Sequence, residues 1–176
     1  MYNGCINKIR ILKRVIKLFV FLSFLIINKV SANVIDKIEM DIYIDKNGNA
    51  EITEVWKTSL TSGTEGYRKF TNLNNSSISN FSVTDDTGMQ YEKLSYWDRS
   101  ASFDSKKYKN GIYNIKNGVE LCWGISKYGN RIFTLQYTIN NIITQYVDSQ
   151  GLYFNFLNLD QPINHGRIVI HSDYLF

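Results

Sequence analysis

A period of two in the hydrophobic residues constrains this chain more than any other feature. Between Val119 and Ile139 it reads Val-Glu-Leu-Cys-Trp-Gly-Ile, breaks at Ser126-Lys-Tyr-Gly-Asn130, and resumes as Arg-Ile-Phe-Thr-Leu-Gln-Tyr-Thr-Ile. Val119, Leu121 and Trp123 fall on one face of the first run, and Arg131, Phe133, Leu135, Tyr137 and Ile139 on one face of the second. Successive side chains of a strand point to opposite sides of the pleat, so each run describes a strand with one buried face. The short break predicts a hairpin at the centre of a sandwich, with Trp123, Phe133, Leu135 and Tyr137 in the core. Cys122 is out of phase with Leu121 and Trp123 and is expected to face away from that core.

The same period recurs along the chain. Ile38, Met40, Ile42 and Ile44 alternate with Glu39, Asp41 and Tyr43, and Asp45-Lys46-Asn47-Gly48-Asn49 follows before a return strand from Ala50 to Leu60. An Asn-Gly pair between alternating runs is a strong hairpin signal, because both residues accept the positive φ of a tight turn. Asp85-Asp86-Thr87-Gly88 predicts a second turn, between a strand over 78–84 and a return strand over 89–97. Lys116-Asn117-Gly118 predicts a third. Further strands are expected over 142–147, around Leu152, Phe154 and Phe156, and over 167–171, whereas residues 98–110 show no readable pattern. Nothing after the N-terminus keeps helical periodicity for three turns. The fold class is therefore all-β, an antiparallel β-sandwich compatible with an immunoglobulin-like topology, with a barrel as the alternative.

The N-terminus is different. Lys8, Arg10, Lys13, Arg14 and Lys17 precede an uncharged apolar run from Leu18 to Ile27, and Val30-Ser31-Ala32 supplies small residues for cleavage before Asn33. This is the three-part pattern of a secretory signal. The expected organisation is a signal peptide or signal anchor over 1–32, forming a helix, and an extracytoplasmic domain over 33–176, secreted or membrane-anchored. The leader holds six of the 20 Lys and Arg and none of the 16 Asp and Glu, which leaves 14 basic against 16 acidic residues, a net of −2. The basic character of the whole chain thus belongs to the leader and gives no ground for nucleic-acid binding. Cys5 and Cys122 are the two cysteines, and the domain holds only the second, so it folds without an internal disulfide.

Candidate chemistry is thin. Asp45 to Asn49 offers oxygens in the manner of a calcium loop, but the helix-flanked version needs Gly and Glu at positions held here by Ala50 and Trp56, so a turn is the reading. Cys122 would need a base, and His165 and His171 have no spacing that suggests one. Glu51, Glu54, Asp148 and Asp160 could supply a carboxylate pair, but charged residues on solvated strand faces are expected. Arg68 and Arg131 suit two-pronged carboxylate pairing, with Glu54 or Asp148 as partners and Arg131 capping the edge of the core. Tyr91, Tyr96 and Trp97, beside the unreadable segment, are the candidate ligand-binding residues, provided they form an exposed cluster.

Several of these stretches together resemble a known family. They are the opening strand before Gly48, Ala50-Glu-Ile-Thr-Glu-Val-Trp56, Gly66-Tyr67-Arg68, Cys122-Trp123-Gly124-Ile125, Arg131 to Ile139, and Tyr146-Val-Asp148. Their order and spacing are similar to the N-terminal domain of a family of predicted bacterial membrane proteins, a domain of unknown function numbered twenty-two-oh-seven. The likeness runs from about Val34 onward. It implies an extracytoplasmic β-sandwich with no established activity, no catalytic residues to transfer and no cofactor. Family members continue into further β-structure and transmembrane helices, so the chain is expected to be incomplete at its C-terminus or a minimal relative. The expected role is a non-catalytic interaction or structural module of a bacterial surface protein. Its partner would be a protein or an envelope component, with membrane contact only through the N-terminal segment or a region beyond Phe176. The alternatives are a cell-envelope hydrolase or carbohydrate-binding domain, and a truncated remnant without function.

Overall fold

The structure, a computed structural model, describes residues 32–173. The expected signal helix and the last three residues lie outside the described residues. Within them the chain forms eleven strands and one short helix: β1 Val34–Ile44, β2 Ala50–Leu60, β3 Glu65–Thr71, β4 Ser77–Asp85, β5 Glu92–Lys93, α1 Phe103–Lys106, β6 Lys109–Ile115, β7 Gly118–Gly124, β8 Gly129–Asn140, β9 Ile143–Gln145, β10 Gln150–Leu152 and β11 Ile163–Ser172. The all-β class holds. One sheet has the order β11-β1-β2-β8-β4, a second has β3-β7-β6-β5, and β9 and β10 pair as a small ribbon. Two pairings are parallel, β1 with β11 and β5 with β6, so the sandwich is mixed rather than wholly antiparallel.

The two runs around Ser126–Asn130 are strands, but they do not pair with each other. β7 lies between β3 and β6, and β8 lies between β2 and β4 in the facing sheet. The reason is that β7 already pairs with β6, its hairpin neighbour, and with the distant β3, while β8 has β2 and β4 on its two edges, so neither strand has an edge left for the other. The amide of Ile125 still bonds to Thr64 O at 3.0 Å, so the chain leaves the second sheet only after that residue and then crosses the core. Facing each other, the two apolar surfaces bury one another directly. Trp123 of β7 meets Phe133 of β8 at 5.8 Å between ring centroids and Trp56 of β2 edge-on at 5.4 Å. Trp123, Phe133, Leu135 and Tyr137 are all buried in this core.

The expected turns are present and share one design. Asp45 and Asp85 each open a three-residue loop, with Gly48 and Gly88 at φ +79° and +80°. In each loop the aspartate Oδ1 accepts from the amides two and four residues on, Asn47 and Asn49 at 2.8 and 2.9 Å, Thr87 and Met89 at 2.9 and 3.3 Å. The Asp45 carboxylate is thus occupied by its own turn, and among the described residues no group of three or more His, Cys, Asp or Glu is placed to hold a metal. Asn117 supplies the positive φ of the β6–β7 turn.

The return strand expected over 89–97 does not form. Tyr91 pairs with β4, its amide bonding to Val83 O at 2.9 Å, and the chain then switches sheets to place β5 beside β6. Residues 94–108 fold over the outer face of the second sheet. Trp97 packs on Gly111, where a Cβ would come within 3.4 Å of its ring, and Gly124 admits the Lys106 carbonyl so closely that a Cβ would overlap it at 1.8 Å.

Candidate functional site

The interior carries charge that the alternation conceals. Glu54 of β2 is in phase with Ala50, Ile52 and Trp56, and it is buried with them rather than solvated. Its carboxylate accepts from Trp56 Nε1 at 2.6 Å, from Arg68 Nε at 3.2 Å and from the Tyr137 hydroxyl. Arg68 in turn donates to the carbonyls of Asn158 at 2.8 Å and of Phe156, and its guanidinium lies 4.6 Å from the Phe70 ring centre. Burial, followed by the charge of Glu54, raises the Tyr137 phenol well above its ordinary value, so the hydroxyl remains a donor. A buried charge is tolerated only when paired and hydrogen-bonded, and here the pairing ties β2, β3, β8 and the 156–158 segment together. Arg131 was expected to meet Glu54 or Asp148. It does cap the core, but on Asp85 at 2.9 Å and Asp86 at 2.8 Å, because β4 delivers those residues to its end of β8 and Asp148 is exposed on the far ribbon.

Beside this network, at the end of the sandwich where β1 begins, a cleft of about 80 Å³ opens between the sheets. Its apolar wall is Ile35, Trp56, Trp123, Ile125, Phe133 and Leu159, and Glu65 and Asp160 stand on its rim. Both rim acids are already matched. Glu65 accepts from Trp97 Nε1 at 2.8 Å and pairs with Lys106 at 2.8 Å, while Asp160 meets Lys69 at 3.3 Å. One group in the wall is unmatched. Trp123 Nε1 is buried and has no protein acceptor, a rarity for a buried donor. Its ring is held in place by Gly66, where a Cβ would come within 2.5 Å of the indole. The cleft thus presents an aromatic and aliphatic surface with no unpaired charge, and the unmatched indole N–H lies buried in its wall against Gly66. It suits an uncharged apolar group.

The sequence candidates fall elsewhere. Tyr91 and Trp97 are buried and Tyr96 is exposed, so the three do not make one exposed cluster. Cys122 is fully buried on the outer face of β7, under the 94–108 segment, and burial, then Glu65, pushes its thiol up to about 12. His165 and His171 stand exposed on β11, where His171 contacts Asp41 at 3.3 Å. No thiol–imidazole pair exists among these residues. The cleft was missed because six separate stretches build it. The only local signals are Trp56 and Trp123 on facing strands and Gly66 inside an otherwise bulky run.

Among the described residues no helix is long and apolar enough to cross a membrane. No curated protein matches the chain in sequence. Among solved structures, native yeast LTA4 hydrolase aligns at a TM-score of 0.41 and 10% identity, covering 60% of this chain and 14% of that protein. A proposed protease of Parabacteroides distasonis aligns at 0.35 and 10% identity, covering 62% and 24%. A family model described as the N-terminal domain of a predicted membrane protein (DUF2207) matches residues 34–172, the whole of the sandwich. The chain belongs to that family of predicted membrane proteins and carries its N-terminal domain.

Proposed function

We propose that this domain is a non-catalytic interaction module held outside the cytoplasmic membrane, and that its cleft receives an apolar side chain of a partner polypeptide. The unpartnered Trp123 N–H in an uncharged aromatic cleft carries this reading. A peptide supplies an aliphatic side chain for the wall, and a small shift of the indole on binding would bring its N–H to a backbone carbonyl, which matters because buried donors left unmatched cost about 1–3 kcal/mol. The protonated state of Cys122, its distance in the fold from His165 and His171, and the paired state of the rim carboxylates support a binding rather than a catalytic role. Export rests on the N-terminal pattern.

The test uses the three tryptophans of the chain. Trp56 and Trp97 donate their indole N–H groups to carboxylates and Trp123 donates to none, so the three nitrogen-proton resonances should separate. Titrating N-acetyl-leucine methylamide into the nitrogen-15-labelled chain should move the Trp123 signal downfield and leave the Trp97 signal in place. A Trp123 signal that stays fixed at millimolar ligand would end the proposal. Release of soluble fragments from purified cell wall by the folded chain would return the hydrolase reading.

A further inference from the structure

At the end of the sandwich opposite the apolar cleft, a groove of about 370 Å³ lies between the β3–β4 loop over 72–76, the chain over 141–145 and Tyr153. Its volume is that of an ordinary ligand site. A second hollow of about 470 Å³ continues from it toward Asn117 and shares Asn72, Leu73 and Asn74. No residue lining either hollow carries a charge. The groove lies on the β8–β4 side of the first sheet, whereas the described chain ends after β11, on the other edge beyond β2 and β1. At the spacing of neighbouring strands, β8 and β11 stand roughly 14 Å apart.

The backbone of the groove is fixed, and the fold makes no use of its side chains. The Asn72 amide bonds to Asn117 O at 3.0 Å and the Ser76 amide to Leu73 O at 2.8 Å. Ser76 Oγ donates to the Asn141 carbonyl at 2.9 Å, and the Asn141 amide donates to Asn49 Oδ1 at 3.2 Å. The side chains of Asn72, Asn74, Asn75 and Asn141 are exposed, and their carboxamides have no partner among the described residues. Asn72, Asn74 and Asn141 stand at φ +57°, +52° and +55°. Elsewhere the chain meets that need with glycine, as at Gly48 and Gly88. Glycine adopts this backbone without steric cost, so what asparagine adds here is the carboxamide. On the rim, Tyr153 is 99% exposed and gives its ring to solvent rather than to the core.

We infer that this groove binds an uncharged oligosaccharide. A sugar unit has hydroxyls around its edge and an apolar face of C–H groups. Carboxamides answer the hydroxyls, because each offers donors and an acceptor together. The Tyr153 ring offers the C–H face a flat apolar body with a polar tip. A lining without charge selects against acidic sugars and phosphate-bearing polymers, whose anionic groups call for arginine or lysine. The continuation past Asn74 gives room for more than one sugar unit. An extended peptide fits less well. Peptide grooves receive side chains in apolar pockets, and the apolar members of this lining, Leu73, Ile143 and Phe154, are packed against the core instead.

Cellotetraose, maltotetraose and chitotetraose, each titrated into the nitrogen-15-labelled full chain, test this directly. At least one should move the side-chain amide signals of Asn72, Asn74 and Asn141, while the Trp123 indole signal at the other end stays fixed. For that sugar, Tyr153→Ala should weaken binding roughly tenfold, the scale of one lost aromatic contact. Asn74→Gly keeps the left-handed backbone and removes the carboxamide, and it should weaken binding as well. Both positions are exposed, so neither change should disturb folding. Amide signals unmoved by all three sugars at millimolar concentration, binding indifferent to both substitutions, or equal shifts with tetragalacturonate would each overturn the inference. Shifts with acetyl-tetraalanine amide and with none of the sugars would overturn it in favour of a peptide.

Discussion

Glu54 shows how much of this fold hangs on one side chain. Replacing it with Ala would leave Arg68 charged and unpaired in the core, together with the indole of Trp56 and the hydroxyl of Tyr137. The expected loss is about 3–5 kcal/mol, the range for breaking one partner of a buried ion pair, read from the midpoint of urea unfolding. Glu54→Gln keeps an acceptor and should cost clearly less. Gly66→Ala drives a methyl against the Trp123 ring and should cost about 1–3 kcal/mol by overpacking, with the Trp123 indole resonance displaced before any ligand is added. Asp85 gives the pH dependence. Burial pushes its carboxyl up, but the hydroxyl and amide of Thr87, the amide of Met89 and the charge of Arg131 outweigh burial and hold it below the ordinary value. A depressed folded value means that its stabilisation is complete above the unfolded value of about 3.9 and is lost as pH falls through the folded one. Unfolding midpoints should therefore fall as the pH drops below about 4, and Asp85→Asn should flatten that limb. Equal acid sensitivity in both proteins would remove Asp85 from the explanation.

At the scale of elements, the two Asp-x-x-Gly turns look interchangeable in sequence, and the structure separates them. Both glycines are left-handed, which costs a side-chain-bearing residue about 1–2 kcal/mol. A Cβ at Gly88 would meet nothing, whereas one at Gly48 would come within 3.2 Å of Ile143. Gly48→Ala should thus be the more damaging substitution in a side-by-side thermal melt. These turns, the strands they join and the burial of Trp123, Phe133, Leu135 and Tyr137 could be read from the chain, because phase and turn chemistry are local. Strand neighbours could not. Val119–Gly124 and Arg131–Ile139 have the pattern of a hairpin, yet nothing local records that β3, β6, β2 and β4 compete for their edges. The parallel seat of β11 on β1 depends on a partner more than a hundred residues away. Glu54 and Arg68 were within reach, since each shares the phase of apolar neighbours. The cleft was not, because its wall comes from strands that only tertiary structure brings together.

For the molecule as a whole, one continuous core joins both sheets, and the outer layer over Cys122 is tied to it by Glu65, Lys106 and Arg99. A single core with tied layers should unfold in one step, with tryptophan fluorescence and far-ultraviolet dichroism tracing the same transition. A separate early fluorescence change would show that residues 94–108, with Trp97, detach first. A broad, sloping transition would favour a decayed remnant over a working domain.

The parallel pairing of β1 with β11 also has a mechanical consequence. The two strands are the first and last of the domain and lie side by side through nine aligned residue pairs. Because they run in the same direction, the chain enters at one end of the ladder and leaves at the other. Tension applied through residues 33 and 173 therefore loads that ladder in shear, with its hydrogen bonds resisting together rather than opening one after another. Under such a load the seam would act as a latch. Single-molecule pulling from these two points should give a higher rupture force than pulling across the Asp45–Asn49 hairpin, where β1 and β2 can unzip. Equal forces would show that the seam bears no special load.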